Sequence, residues 1–242
     1  MGSTRIHHFE FLLRLIDPDG NEVSPCRVIE AAERYGLMTQ VDRWVISNAF
    51  RIIASLDRKQ YADTVFGINL SGQSANDPEF IDYIKAQFVE HAIEPRAICF
   101  EVTETTAIAN FNTAVQLAQD VRQLGCLMAL DDFGSGLSSF GYLKHLPIDI
   151  LKIDGQFIRD IATNRVDRAM VKAICDVATS MNLKTVAEYV EDESAMNVLE
   201  EIGVDLAQGY FIGKPLRVED ALQNAEEYNT RMMPSIRNIA SK

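Results

Sequence analysis

No apolar run in this 242-residue sequence approaches the ~20 residues of a membrane-spanning helix, and no signal peptide opens it. The expectation is a cytoplasmic chain, with any membrane attachment left to parent domains outside this sequence. Basic residues are scarce: 23 Lys and Arg against 35 Asp and Glu give a net charge of −12. That balance argues against a general nucleic-acid binder, which needs a basic face. It leaves an anionic substrate open, provided metal ions invert the local charge. Cysteines are few and scattered. Cys26, Cys99, Cys126 and Cys175 form no C-x-x-C pair, so reduced, buried thiols are expected. No Cys and His cluster marks a soft-metal site, and His7, His8, His91 and His145 are read as structural. Also lacking is a Gly-rich phosphate loop after the first strand, since Leu15–Asn21 contains only Gly20. That counts against an open doubly wound sheet.

What is present is alternation. Hydrophobic residues make up 47% of the chain, enough for a sizeable core. Strands are expected at His7–Leu15, Thr64–Leu70, Ala97–Thr103, Cys126–Asp131, Ile148–Ile153, Leu183–Ala187 and Asp205–Gln208. Several are nearly continuous apolar runs, as in strands covered on both faces. Helical patterns lie between them at Arg27–Arg34, Val41–Leu56, Asp77 to about Glu90, Asn112–Leu124, Asp167–Met181, Glu193–Ile202 and Val218–Tyr228. Asp77-Pro78 reads as an N-cap with Pro in the first turn, and Gly36 and Gly125 as stops. Strand-then-helix repetition implies an α/β fold with a mostly parallel sheet. The length suits one βα barrel, although seven strands are counted where a closed barrel has eight. Residues 5–230 are read as one domain, 1–4 as a cloning remnant and 231–242 as a C-terminal tail.

Six strands end in polar residues that a core would not choose: Asn69, Glu101, the pair Asp131-Asp132, Lys152, Glu188 and Gln208. In a βα barrel the C-terminal strand ends share one face, and that face holds the active site. Glu10, Asn69, Glu101, Asp131 and Asp132 offer the carboxylate and amide oxygens that Mg²⁺ or Mn²⁺ takes. Two such ions can hold the attacking and leaving oxygens of a phosphodiester displacement. Lys152 can orient water or neutralise phosphate charge, and Glu188 can accept the proton of the attacking water. Each residue has a plainer explanation. One acid at a strand end is usually a helix cap, Lys152 alone would be a surface lysine, and Gln208-Gly209 alone a turn. Arg14, placed by period two on the face of Glu10, can grip a phosphate oxygen or make a surface ion pair. The Phe133–Ser139 segment, with two glycines and three serines, reads as a ligand-approaching loop or an ordinary connection.

Taken in order, these segments resemble the EAL family of cyclic di-GMP phosphodiesterases from about His7 to Leu216. Phe9-Glu10-Phe11-Leu12-Leu13-Arg14 stands at the family's Glu-Ala-Leu signature, with Pro25, Ala32-Glu33 and Gly36-Leu37 after it. Asn69-Leu70-Ser71, Glu101-Val102-Thr103-Glu104 and Asp131-Asp132-Phe133-Gly134-Ser135-Gly136 follow. Leu151-Lys152-Ile153-Asp154, Ala187-Glu188-Tyr189-Val190-Glu191, Gln208-Gly209-Tyr210 and Lys214-Pro215-Leu216 complete the set. The resemblance implies a modified TIM-type (β/α) barrel with one antiparallel strand. It also implies hydrolysis of cyclic di-GMP to linear pGpG with two Mg²⁺ or Mn²⁺ ions. On that basis Glu10, Asn69, Glu101 and Asp131 hold one ion, and Asp131 and Asp132 the second. Lys152 contacts the water and Glu188 is the general base. Arg14, Leu12, Gln208 and Pro215 sit on the substrate, and Glu104 and Glu191 anchor loops. Homodimers form through the loop after Asp132 and the adjacent helix. Members that lost ligands act as cyclic di-GMP receptors or interaction modules, the alternative function. Three departures stand out: Phe11 replaces the signature Ala, Tyr189 replaces a usual Gly, and the family's leading helix and first strand are missing.

Overall fold

The computed structural model describes residues 7–56, 64–135 and 140–223. The chain divides into two compact units: His7–Met128 with His145–Pro147, and Ala129–Lys144 with the chain from Ile148 onward.

The first unit is built on β1 (His7–Phe11). A small antiparallel hairpin follows, β2 (Leu15–Ile16) and β3 (Glu22–Val23). Its turn is held by Asp17, whose Oδ1 accepts from the amides of Asp19 (2.9 Å) and Asn21 (2.8 Å). Then come α1 (Pro25–Arg34), α2 (Met38–Ser55) and β4 (Thr64–Asn69). The unit continues with α3 (Gly72–Ala75), α4 (Phe80–His91), β5 (Ile98–Thr103), α5 (Glu104–Ala109) and α6 (Phe111–Gln123). β1, β4 and β5 pair in parallel. Ile98, Cys99, Phe100 and Val102 of β5 are buried, which is why that segment reads as an apolar run interrupted only at Glu101. Phe50 of α2 meets Phe88 of α4 with ring centroids 4.7 Å apart.

Three expectations for this unit are corrected. The first strand stops at Phe11 instead of reaching Leu15, because the chain turns into the hairpin. Arg14 therefore does not share a strand face with Glu10; it pairs with Glu22 of the hairpin at 3.2 Å. α4 starts at Phe80, not Asp77. The Asp77 carboxylate accepts instead from Arg43 Nη2 (2.8 Å) and the Glu79 amide (3.0 Å).

The second unit takes Ala129–Phe133 of β6 (Leu127–Phe133) and adds β7 (Ile150–Ile153), α7 (Arg165–Ser180) and β8 (Lys184–Ala187). α8 (Glu193–Ile202), β9 (Leu206–Ala207) and α9 (Val218–Gln223) complete it. β6 to β9 pair in parallel in chain order. Asn164 caps α7, and Asp192 caps α8 by accepting from the Ala195 amide at 2.8 Å. Asp205 ties β9 to β8, accepting from Lys184 Nζ (2.7 Å) and the Thr185 amide (3.0 Å). Among the described residues, the hairpin β2–β3 is the antiparallel pairing, and the antiparallel sheet strand implied by the resemblance is not among them.

Candidate active site

In the first unit, strand register decides which side chains share a face. Glu10 stands opposite Gly67, Gly67 opposite Cys99, and Asn69 opposite Glu101. Parallel partners point the same way and alternate residues share a face. His8, Glu10, Gly67, Asn69, Cys99 and Glu101 therefore line one face. Near the strand ends, Asn69 Nδ2 donates to Glu10 Oε1 at 2.5 Å. Glu101 is fully buried, and a Cβ at Gly67 would overlap its Oε1. Gly67 is thus the notch that lets this carboxylate lie across β4, a use of strand glycine that brings polar atoms close. Glu104, in the first turn of α5, is 1% exposed. Leu12 and Arg14 are exposed beyond the end of β1.

In the second unit the site is organised by a bulge. Leu130 pairs with Leu151 and Phe133 with Ile153, so Asp131 and Asp132 together oppose Lys152. Asp132 takes φ +54, and its amide donates to Asp131 Oδ1 at 2.9 Å. The plain alternation expected for this pair gives way to a re-aimed Asp132. Oxygens of Asp131, Asp132 and Glu188 lie within 4.8 Å of one another. Lys152, fully buried, places Nζ 3.1 Å from Asp131 Oδ2 and 3.0 Å from Glu188 Oε1. Three ionised carboxylates against one ammonium leave a charge of −2, which one divalent cation cancels. All-oxygen donors suit Mg²⁺ or Mn²⁺.

The segments flanking these residues are tightly specified. The Glu188 amide donates to Ile153 O at 3.2 Å, extending β8 by one rung. Tyr189 then takes φ +55, a region that glycine enters without strain and that a residue with a Cβ rarely adopts. The backbone N–H of Gln208 donates to Ala187 O at 2.8 Å, and its backbone carbonyl accepts from the Val190 amide at 3.0 Å. Gly209 leaves no room for a Cβ against the Val190 backbone. Glu191 and Pro215 are exposed. In the loop after Asp132, Gln156 Nε2 donates to Gly134 O at 2.8 Å. Residues 136–139, and with them most of the segment expected to make a dimer contact, lie outside the described residues.

One further group carries no mark in the pattern of its own residues. His8, Cys99 and Glu101 place an imidazole nitrogen, a thiol sulfur and a carboxylate oxygen within 4.8 Å of one another. Two distant strands, β1 and β5, bring these residues together through their register on β4, which composition does not reveal. The available signal was Gly67, an isolated glycine inside a strand pattern.

Residues 1–215 match the family model described as EAL domain. Among curated proteins, the chain is 41% identical over 230 residues to the cyclic di-GMP phosphodiesterase PdeB of Shewanella oneidensis, covering 95% of this chain and 26% of that protein. It is 37% identical over 221 residues to the cyclic di-GMP phosphodiesterase PdeF of Escherichia coli, covering 91% and 29%. The chain thus spans between a quarter and a third of the length of these relatives. Among solved structures, the PaMucR phosphodiesterase in complex with c-di-GMP superposes with TM-score 0.82 at 34% identity, over 87% of this chain and 85% of that one. The FimX EAL domain of Pseudomonas aeruginosa bound to c-di-GMP does so with TM-score 0.80 at 30% identity, over 86% and 83%. With the TIM-barrel-like fold of those domains, and with their motifs in order, the chain belongs to the EAL domain family.

Proposed function

We propose that this domain is a cyclic di-GMP phosphodiesterase that opens the cyclic dinucleotide to linear pGpG with the help of two Mg²⁺ or Mn²⁺ ions. The observation that carries it is Lys152, buried and shared between Asp131 and Glu188 beside a re-aimed Asp132. A core does not build such a group for stability, since apolar residues of similar volume serve at least as well. Glu10, Asn69, Glu101, Asp131 and Asp132 are the ligands in this reading. When bound, the ions polarise the phosphoryl oxygens and lower the pKa of water.

Glu188 accepts the proton of the attacking water, because its carboxylate sits at a strand end with its backbone fixed by Ile153. Lys152 holds that carboxylate in place and offsets negative charge as the phosphate approaches. The water oxygen bonds to phosphorus and the P–O3′ bond breaks with its electron pair on O3′, which takes up a proton from solvent, since pGpG keeps the phosphate on its 5′ oxygen. Arg14 leaves Glu22 to pair with a phosphate oxygen, while Leu12, Gln208 and Pro215 border the nucleotide. Glu104 and Glu191 hold the loops, and two copies pair through the segment after Asp132. The domain acts in the cytoplasm; among the described residues no helix is long and apolar enough to cross a membrane.

Incubation of the purified protein with cyclic di-GMP and Mn²⁺ or Mg²⁺, followed by chromatography, should yield pGpG, and Glu188→Gln should bind substrate without turnover. Tight binding with no pGpG from the unmutated protein at several pH values would replace the hydrolase with a receptor.

A further inference from the structure

We propose that His8, Cys99 and Glu101 form a second metal site, selective for a borderline-soft divalent ion of the zinc type, whose occupation withdraws Glu101 from the hard-ion site. The inhibitory consequence rests on the proposed function; the binding itself does not.

The donor set carries the argument. Imidazole nitrogen and thiolate sulfur are ligands of zinc and of tetrahedral cobalt, not of Mg²⁺. His8 Nε2 lies 3.5 Å from Glu101 Oε1, and the Cys99 sulfur lies within 4.8 Å of an imidazole nitrogen of His8 and a carboxylate oxygen of Glu101. Ligand atoms around a tetrahedral zinc are roughly 3.3–3.7 Å apart, given bond lengths of about 2.0–2.3 Å. The nitrogen–oxygen pair is already at that spacing, and the sulfur closes the remainder by about 1 Å. Backbone architecture supports the convergence. Cys99 and Glu101 are alternate residues of β5, His8 comes from β1, and Gly67 on the intervening β4 has no side chain to separate them. A Cβ there would overlap Glu101 Oε1 and lie 3.2 Å from His8 Cε1. Cys99 and Glu101 are fully buried and the His8 side chain is 9% exposed, so a bound ion would be shielded from water. The Cys99 thiol, which donates to Phe100 O at 3.8 Å, gives its proton to solvent as the metal–sulfur bond forms. Neutral imidazole with one thiolate and one carboxylate then cancels the two charges of the ion.

The test uses Co²⁺ as an optical probe and Zn²⁺ as the inhibitor, in a Cys26→Ser background that removes the exposed thiol. One equivalent of Co²⁺ should produce thiolate-to-cobalt charge-transfer absorption. That absorption should vanish on Cys99→Ser or Cys99→Ala, and also on His8→Gln, in which the thiol is intact. Zn²⁺ should suppress hydrolysis by the Mg²⁺-loaded protein. Cys99→Ser should keep basal turnover and need at least tenfold more Zn²⁺ for the same suppression. Absence of the absorption, or its survival in Cys99→Ser, would overturn the site. Robust hydrolysis with no such absorption would sink this inference alone. Absorption that obeys the variants in a protein that never makes pGpG would sink the hydrolase reading alone.

Discussion

The ring of Tyr189 fills the space that any side chain at residue 155 would need, so that a Cβ on Gly155 would overlap it. The Arg159 guanidinium lies 4.7 Å from the centroid of the same ring. Gly155 stands two residues past β7, the strand of Lys152, and Tyr189 directly follows Glu188 at the end of β8. One aromatic side chain therefore ties together the two segments whose Lys152 and Glu188 groups meet at 3.0 Å. It does so from φ +55, a conformation that costs a residue with a Cβ about 1–2 kcal/mol.

Replacing Tyr189 separates those effects. Tyr189→Gly relieves the backbone strain and loses the ring contacts, so stability should change by roughly 1 kcal/mol or less. Turnover should fall roughly tenfold with little change in KM, because a base displaced by a fraction of an ångström loses rate more than binding. Tyr189→Phe keeps the ring and should behave as the unmutated protein. Gly155→Ala pushes the ring aside and should mimic Tyr189→Gly. Steady-state kinetics beside thermal melts decide it; undiminished kcat in Tyr189→Gly would strip Tyr189 of any positioning role.

Lys152→Met removes the cation between Asp131 and Glu188 and leaves their charges facing each other in a buried place. Without metal, this should cost about 3–5 kcal/mol in urea unfolding. Saturating Mn²⁺ should return part of that loss, because the ion supplies the missing positive charge. For the unmutated protein, metal at a hundred times its Kd stabilises by about 2.7 kcal/mol. A larger Mn²⁺-induced gain for Lys152→Met than for the unmutated protein is the expected result, and equal gains would place the bound ion away from Lys152.

Thiol reactivity follows burial. Cys26 is exposed, whereas Cys99, Cys126 and Cys175 are buried. Burial pushes the Cys126 thiol up to about 12 and that of Cys175 up to about 11. Iodoacetamide attacks the thiolate, so at neutral pH it should add one label to the folded protein, at Cys26, and four after urea unfolding. Intact-mass spectrometry counts them, and two or more fast labels on folded protein would contradict the burial.

The strand pattern was legible because the buried strands open on apolar runs and carry a polar residue near their ends, as Ile98-Cys99-Phe100 before Glu101 illustrates. Elsewhere a local pattern meets a non-local partner. Arg14 is in phase with Glu10 on paper, but the hairpin claims it for Glu22. Asp77 has the form of a cap, but Arg43 takes its carboxylate. The bulge at Asp131-Asp132 has no sequence mark, since it exists only in how two residues count against one on β7. The meeting of His8, Cys99 and Glu101 depends on the register of three strands, which the residue types do not state.

Asp42 provides a test in which the sign of the pH effect is fixed. It lies on α2, 4% exposed, and its Oδ2 accepts from the Ser71 amide (2.8 Å) and from Ser74 Oγ (2.6 Å). That grip fixes the segment just after Asn69. Burial pushes the Asp42 carboxyl above its ordinary value of 3.8, and the hydrogen bonds from Ser71 and Ser74 oppose the rise without cancelling it. The folded state therefore holds the proton more readily than the unfolded chain. The associated stability is fully present below the unfolded value and is lost as pH rises through the folded one. Asp42→Asn does not titrate, so other groups cancel in the difference between the two proteins. Unfolding free energies measured from pH 7 down towards pH 4 should show the unmutated protein gaining on Asp42→Asn as pH falls. A difference that moves the opposite way would mean that the hydrogen bonds to the ionised carboxylate outweigh its burial.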